Sequence, residues 1–285
     1  MHRPRKRLGQ HFLNDRRILT RIVDILDPLP NETVIEIGPG QGSLTGVLQR
    51  RVARIVAIEL DRDLAAALRV QYAESANLRI IEADALDVRL ADYSPDAPWS
   101  VIGNVPYYIT TPILFHALES PRPRRIVFLV QREVGDRLAA APGSASYGAL
   151  SVTAQALAEV TRHGRVPAGA FQPPPKVDSM IVRLTPLADP LVRAHEEAPF
   201  RALVQGAFSL RRKQMLRVLR SLYDLDADRA AAVLARCRID RDARPEVLPP
   251  ERFVELLRAT RHDGLDLVSA TSRHPRRWPD STAQS

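Results

Sequence analysis

The feature that most constrains this chain is an alternation of short β-rich apolar runs with amphipathic helical patterns. The runs are Thr33 to Ile37, Arg54 to Leu60, Leu78 to Glu82, Ser100 to Val105 and Arg125 to Gln131. Between them lie helical patterns over Ser43 to Arg50, Arg62 to Tyr72 and Thr111 to Ser120. Strands fully covered by crossover helices build a parallel sheet, so the spacing predicts a doubly wound α/β domain. Asp15 to Leu29 predicts one amphipathic helix ahead of the sheet, ended by Pro28 and Pro30. Tyr147 to Glu159 predicts another helix. Arg162 to Val166 and Met180 to Leu184 predict strands that finish the sheet as an antiparallel edge. From Phe200 onward only helical patterns remain: Phe200 to Leu222, Asp226 to Arg236 and Pro250 to Thr260. The expected organisation is therefore a sheet domain over residues 1–185, a proline-containing linker over 186–199, a small all-helical domain over 200–262 and a disordered tail over 263–285.

The first strand turns into its helix through Glu36-Ile-Gly-Pro-Gly-Gln-Gly-Ser43. Glycines at 38, 40 and 42 let the backbone bend sharply and approach a ligand closely. Ser43 stands where a dinucleotide-binding G-x-G-x-x-G would carry its third Gly or Ala, which argues modestly against a nicotinamide enzyme. Glu59 ends the second strand, where a carboxylate can accept from both ribose hydroxyls, although alone it reads equally as a strand-end charge facing solvent. Asp84, followed by Ala85, stands at the topologically equivalent end of the third strand, where a carboxylate can take an adenine amino group. Acceptors on consecutive strand ends point to an adenosine-containing cofactor. S-adenosylmethionine fits because its amino acid moiety and sulfonium suit backbone and carboxylate contacts.

The fourth strand ends in Gly103-Asn104-Val105-Pro106-Tyr107. An exocyclic aromatic amine is a poor nucleophile, and two hydrogen-bond acceptors on its N–H groups pull the nitrogen toward tetrahedral geometry as it attacks. The Asn104 side-chain carbonyl and a main-chain carbonyl of the Asn104 to Pro106 turn can supply them. Pro106 fixes the turn, and the Tyr107 ring offers a face on which an extruded base can stack. In isolation such a turn is better explained as an ordinary proline-containing loop.

It is not isolated. The segments Arg5 to Asp15 (RKRLGQHFLND), Glu36 to Thr45 (EIGPGQGSLT), Gly103 to Pro112 (GNVPYYITTP), Gln131 to Leu138 (QREVGDRL), Tyr147 to Val152 (YGALSV) and Phe171 to Leu184 (FQPPPKVDSMIVRL) occur in a fixed order. In them the chain resembles the ribosomal RNA adenine dimethyltransferases, over roughly residues 3 to 260, and within that family the small-subunit branch. The resemblance implies a sheet of the class I methyltransferase type and N6-dimethylation of two adjacent adenosines in a hairpin near the 3′ end of small-subunit rRNA. It implies that Gln10, His11 and Leu13 help enclose the cofactor together with Gly38, Gly40, Glu59, Asp84, Ala85 and Asn104. It also implies that Phe171 faces Tyr107 across the target base. Four positions depart from the family pattern. His11 stands where Asn is frequent, Val105 replaces a common Leu, and Tyr108 and Thr110 replace the usual Asn and Ser.

The balance of 41 Lys and Arg against 33 Asp and Glu, a formal charge of +8, matters where it is clustered. Arg3, Arg5, Lys6 and Arg7 form a basic N-terminal arm. Arg211, Arg212, Lys213, Arg217 and Arg220 are spaced so that most would share one side of a helix. Phosphate contact by at least one of these clusters is expected, with Arg5, Lys6, Arg7, Arg211, Arg212 and Lys213 as the RNA-binding set and small-subunit rRNA, or its precursor particle, as partner. The single cysteine, Cys237, reads as a small buried hydrophobe, and no metal site is expected. The absence of a long apolar run or a secretory leader leads to the expectation of a cytoplasmic protein, and a monomer is expected. Two rival readings carry weight. One is the antibiotic-resistance branch that methylates large-subunit rRNA, disfavoured by Pro173 to Ser179 and Arg244-Pro245-Glu246. The other is a non-catalytic RNA-binding assembly factor, disfavoured by intact Gly38, Glu59, Asp84 and Asn104. A DNA adenine methyltransferase is a weaker third.

Overall fold

In the computed structural model, residues 10–94 and 98–268 are described. The basic arm with Arg5, Lys6 and Arg7, and the tail beyond residue 268, lie outside the described residues. Contacts divide the chain into two compact units. One contains residues 10–135 and 160–186, the other residues 136–159 and 187–268.

The first unit opens on β1 (Phe12–Leu13) and α1 (Arg16–Leu26). Asp15 caps α1, its carboxylate accepting from the N–H groups of Arg17 and Ile18. The apolar periodicity read in this segment is realised: Leu19, Ile22, Val23 and Leu26 are buried. The helix stops at Leu26, before the two prolines, because Asp27 adopts a left-handed conformation and donates its N–H to the Val23 carbonyl.

The sheet then builds in βα steps. They are β2 (Thr33–Ile37), α2 (Ser43–Leu48), β3 (Arg54–Glu59), α3 (Arg62–Gln71), β4 (Leu78–Glu82), β5 (Trp99–Gly103), α4 (Thr110–Ala117) and β6 (Ile126–Gln131). After β6 come α5 (Arg132–Leu138) and α6 (Ala149–Gln155), then β7 (Ala158–Val166), the two-residue β8 (Phe171–Gln172) and β9 (Ser179–Pro186). The seven-stranded order is β4-β3-β2-β5-β6-β9-β7. Pairings from β4 across to β6 are parallel, and β6 pairs antiparallel with β9, so the expected antiparallel closure of the sheet is present. β2, β5 and five of the six residues of β3 are buried throughout, as strands covered on both faces must be. Outside this sheet β1 pairs antiparallel with β8, setting Phe12 opposite Gln172 and Leu13 opposite Phe171.

The second unit gathers α6 with α7 (Glu197–Ser209), α8 (Met215–Tyr223), α9 (Ala227–Arg236) and α10 (Pro250–His262). Here the sequence reading needs correction at four places. The segment carrying α6 packs with the C-terminal helices and does not belong to the sheet unit. Its Tyr147 is fully buried and donates its hydroxyl to the Leu248 carbonyl at 2.9 Å. Periodicity shows that a helix has an apolar face but not which core that face fills. The expected linker is partly helical, since α7 begins at Glu197. The single helix expected over Phe200 to Leu222 is two, α7 and α8, separated by a turn at Leu210 to Gln214. Asp263 to Val268, expected to be disordered, run back over the helices: the Leu265 N–H donates to the Thr260 carbonyl and the Val268 N–H to the Leu222 carbonyl. Cys237 is buried, as read. Among the described residues no helix is long and apolar enough to cross a membrane.

Candidate active site

Parallel register sets the carboxyl ends of four strands side by side. Ile37 is opposite both Ile58 and Gly103, and Glu59 is opposite Glu82. The order reverses between β2 and β5, the topological switch point where open α/β sheets take ligands. One cleft, about 1110 Å³ with its open mouth, lies there. Its lining includes Gln10, His11, Leu13, Gly38, Gly40, Glu59, Asp84, Ala85, Asn104, Pro106 and Tyr107. Residues singled out from five separate stretches of sequence thus meet in one place.

The glycine loop works through conformation. Gly38, Gly40 and Gly42 have φ of 67°, 59° and 81°, the left-handed region that glycine enters without penalty. Space enforces the choice at Gly40, where a Cβ would stand 2.9 and 3.0 Å from two carbons of the Phe12 ring. Phe12 on β1 therefore covers the loop.

Two buried carboxylates hold the loop from below. Glu59 accepts the Gly40 N–H at 3.0 Å through Oε2 and the Asp61 N–H at 2.8 Å through Oε1. Burial raises its pKa, and these backbone N–H groups oppose the rise. Glu36, the penultimate residue of β2, accepts from the Thr45 hydroxyl at 2.7 Å and so ties the first turn of α2 to the sheet. Burial pushes the Glu36 pKa up to about 7, with the charge of Glu59 adding to the rise. Asp84 is half-buried and uses Oδ1 to accept the Leu86 N–H at 2.9 Å, closing a turn that leaves its Oδ2 available.

The Asn104 turn is fixed by one contact. Asn104 Nδ2 donates to the His11 carbonyl at 2.8 Å, so the amide nitrogen is committed and Oδ1 is the end left to accept. The Pro106 carbonyl is already used twice, by the Ile109 N–H at 3.1 Å and the Thr110 hydroxyl at 3.2 Å. Of the three main-chain carbonyls in the turn, those of Asn104 and Val105 remain as a second acceptor.

Tyr107 is held on two sides. Its hydroxyl lies 2.7 Å from the Ser179 hydroxyl, and its ring stacks on His11 with centroids 5.9 Å apart and planes at 25°. His11 Nδ1 is 2.8 Å from the Pro173 carbonyl, which can only accept, so Nδ1 carries the proton. Phe171, expected to oppose Tyr107, sits behind the cleft wall. It is 3% exposed, is not part of the cleft lining, and packs with Leu13, Leu19 and Ile22 in the core beneath α1. The physical reason is the β1–β8 pairing, which sets Phe171 against buried Leu13.

The basic cluster on the helical unit is also rearranged. Arg211, Arg212 and Lys213 lie in the turn between α7 and α8, not on a helix face. Arg211 is committed internally, pairing with Glu246 and donating to the Ala145 carbonyl at 3.1 Å. Arg212 and Lys213 are exposed.

Four residues that complete the site were not singled out from sequence: Phe12, Thr45, Ser179 and Tyr72, the last donating to the Gly42 carbonyl at 2.8 Å. Phe12, Thr45 and Ser179 sit inside the motifs quoted above, but nothing in their spacing announces a partner.

Residues 1–260 match the family model described as ribosomal RNA adenine dimethylase. The chain is 43% identical over 262 residues to the ribosomal RNA small subunit methyltransferase A of Geobacter metallireducens, covering 90% of this chain and 95% of that protein. It is 43% identical over 253 residues to the protein of the same name from Xanthomonas campestris pv. campestris strain B100, covering 88% and 94%. Among solved structures, the 23S rRNA methyltransferase ErmE is 28% identical with a TM-score of 0.68, over 87% of this chain and 98% of that one. A dimethyladenosine transferase from Plasmodium falciparum superposes with a TM-score of 0.76 at 24% identity, over 90% and 99%, a likeness of fold. With a family model spanning nine-tenths of its length and relatives above 40% identity over the same span, this chain belongs to the ribosomal RNA adenine dimethylase family.

Proposed function

We propose that this chain methylates adenosine N6 in small-subunit rRNA, twice per base, on two adjacent adenosines of a hairpin loop near the 3′ end, acting as a cytoplasmic monomer. The observation that carries the reading is the Asn104 amide. With Nδ2 donated to the His11 carbonyl, Oδ1 is directed as an acceptor at the switch point, beside the glycine loop. The cleft fits S-adenosylmethionine on its own terms: a loop that tolerates no Cβ at Gly40, a buried carboxylate at Glu59 and a free carboxylate oxygen at Asp84 face a cleft with no arginine or lysine among the described residues of its lining. When bound, the cofactor supplies an electrophilic methyl group on a positively charged sulfur.

The remaining work belongs to the chain. Gly38, Gly40, Glu59, Asp84 and Ala85 hold the cofactor, with Gln10, His11 and Leu13 closing over it. Asn104 Oδ1 and the Asn104 or Val105 carbonyl accept the two N–H groups of the target amine. Tyr107 stacks the extruded base. Asn104 has no titrating group, so no base removes a proton before attack; the amine loses it once methylation has made it acidic. Arg212 and Lys213, with the N-terminal arm, contact phosphates.

The test is transfer of labelled methyl groups to isolated small-subunit and large-subunit rRNA, with the modified base mapped. Two adjacent N6-dimethyladenosines in small-subunit rRNA are expected; label confined to large-subunit rRNA, or none, refutes the reading. Asn104→Ala is expected to slow single-turnover transfer by roughly a hundredfold or more, by analogy with removing one transition-state hydrogen-bond partner, with little change in RNA affinity.

A further inference from the structure

A stacking surface is useful only if it does not move when the base arrives. A tyrosine ring at the mouth of a cleft has two soft torsions, and each must be stopped by a contact. At Tyr107 both stops are present and neither comes from its own turn. The Ser179 hydroxyl, 2.7 Å from the Tyr107 hydroxyl, belongs to the first residue of β9 and is 0% exposed. Its backbone is pinned in turn, because Ser179 is in register with Gln131 of β6 and the preceding Asp178 carbonyl accepts the Arg132 N–H at 3.0 Å. Asp178 is itself held by the Ala168 N–H and by Arg165. On the ring face, His11 is locked by Nδ1 to the Pro173 carbonyl.

The dimensions say which face of Tyr107 is for the base. Inserting a base between two rings needs two stacking intervals of about 3.4 Å each, close to 7 Å. The His11 and Tyr107 centroids are 5.9 Å apart, so no base enters between them as they stand. We infer that Ser179 and His11 are positioning residues that hold Tyr107 as a fixed stacking platform, Ser179 by clamping the phenol oxygen and His11 by covering the ring face that the base does not use. The inference rests on the proposed role of Tyr107 as the surface for the target base. It gives the segment from Pro173 to Ser179 a part in the reaction as the brace behind the platform, although the cleft lining does not include it.

A double-mutant cycle tests it, with single-turnover methyl transfer to a small-subunit hairpin RNA as one readout. The fluorescence of the same hairpin with 2-aminopurine in place of the target adenosine is the other. Ser179→Ala and Tyr107→Phe each remove one end of a single hydrogen bond, and neither takes away the aromatic face. Each alone is expected to slow transfer about tenfold and to weaken quenching of the flipped 2-aminopurine, at unchanged cofactor affinity. The double variant is expected to be no slower than either single one. Effects that multiply to about a hundredfold would show that Ser179 does not act through the Tyr107 hydroxyl and would overturn the inference. So would a Ser179→Ala protein with wild-type rate and quenching. His11→Ala is expected to lose quenching and His11→Phe, which keeps a ring over Tyr107, to recover it; no recovery overturns the part assigned to His11. Tyr107→Ala separates the two levels of the argument: if it transfers methyl groups at the wild-type rate, the stacking role itself is wrong, whereas a slow Tyr107→Ala with an uncoupled Ser179 leaves that role and removes only the brace.

Discussion

Replacing Glu36 with Gln should make the sheet unit more stable at neutral and alkaline pH relative to the parent protein. Glu36, the penultimate residue of β2, is 1% exposed and has one side-chain donor, the Thr45 hydroxyl at 2.7 Å. Its folded-state pKa is raised from 4.5 to about 7 by burial. A raised pKa means that the native protein holds the proton more tightly than the unfolded chain. The contribution is therefore complete below about pH 4.5, falls as pH rises, and is gone above about pH 7. Each pKa unit is worth about 1.4 kcal/mol, so the shift sets an upper bound of about 3–4 kcal/mol for the stability that Glu36 alone loses across that window. Glutamine has nearly the same shape, retains an acceptor for Thr45 and does not titrate. The assay is urea unfolding between pH 5 and 8 without cofactor, followed by the fluorescence of Trp99, which is buried in β5 of the same unit. Trp278 is replaced by Phe so that Trp99 reports alone. The gap between the Glu36→Gln protein and its parent should shift in favour of Gln from pH 5 to pH 7 and then level off. Parallel pH profiles would refute the reasoning, because they would mean that Glu36 ionises in the fold as it does in the unfolded chain.

Three further outcomes follow from the same geometry. Glu59→Ala leaves the half-buried Gly40 and the buried Asp61 N–H groups without their acceptor, at about 1–3 kcal/mol for the buried donor, so Tm as well as calorimetric cofactor affinity should fall; a variant matching the parent in both removes Glu59 from the site. Gly40→Ala must place a Cβ against Phe12 at a left-handed φ that costs roughly 1–2 kcal/mol, so the Phe12 and Leu13 amides should exchange faster with deuterium; unchanged exchange would mean that β1 does not lie over the loop. Arg211→Gln should lower the Tm of the helical unit, whereas Arg212→Gln with Lys213→Gln should leave Tm alone and flatten the salt dependence of RNA binding by about one unit of slope per charge; the opposite assignment would place Arg211 on the RNA.

How far the site could be read in the sequence depended on what kind of contact each residue makes. Gly38, Glu59, Asp84 and Asn104 were legible because parallel strands of similar length end together, so residues at strand ends are neighbours by construction. Local period and local caps carried the strands and most helices, as with Asp15 and Asp226 at the starts of α1 and α9. Contacts with no local signature were not legible. Ser179 meets Tyr107 across 72 residues, and Pro173 meets His11 across 162. The resemblance brought Phe171 to the right neighbourhood, but it could not say which way a two-residue strand turns its side chains. Pairing with β1 settles that: Leu13 and Phe171 sit opposite one another and are both buried in the core, while Phe12 is set against Gly40.

The break between α7 and α8 makes the same point where it matters for RNA. No glycine or proline interrupts Phe200 to Leu222, except Gly206 inside α7, and the apolar period runs on through it. A continuous helix would have satisfied every backbone group and gathered the arginines into a stripe. The structure breaks it because partners for a new helix start come from far away in sequence: the Met215 N–H donates to the Ala243 carbonyl at 2.7 Å and the Leu216 N–H to the Arg241 carbonyl at 3.0 Å. These are the first two N–H groups of α8, which have no acceptor within their own helix. Once the segment around Asp240 to Ala243 supplies acceptors, the chain can turn at Leu210 to Gln214 and bury Met215. The cations are redistributed by that turn. Arg211 is drawn to Glu246 and the Ala145 carbonyl as a tie within the helical unit, and Arg212 and Lys213 are left exposed at its tip. Two cations on a turn can approach a phosphate backbone more closely than the same cations on the flank of a helix, so the proposed RNA contact is narrower than the sequence pattern implied and depends on the integrity of the Arg211 tie.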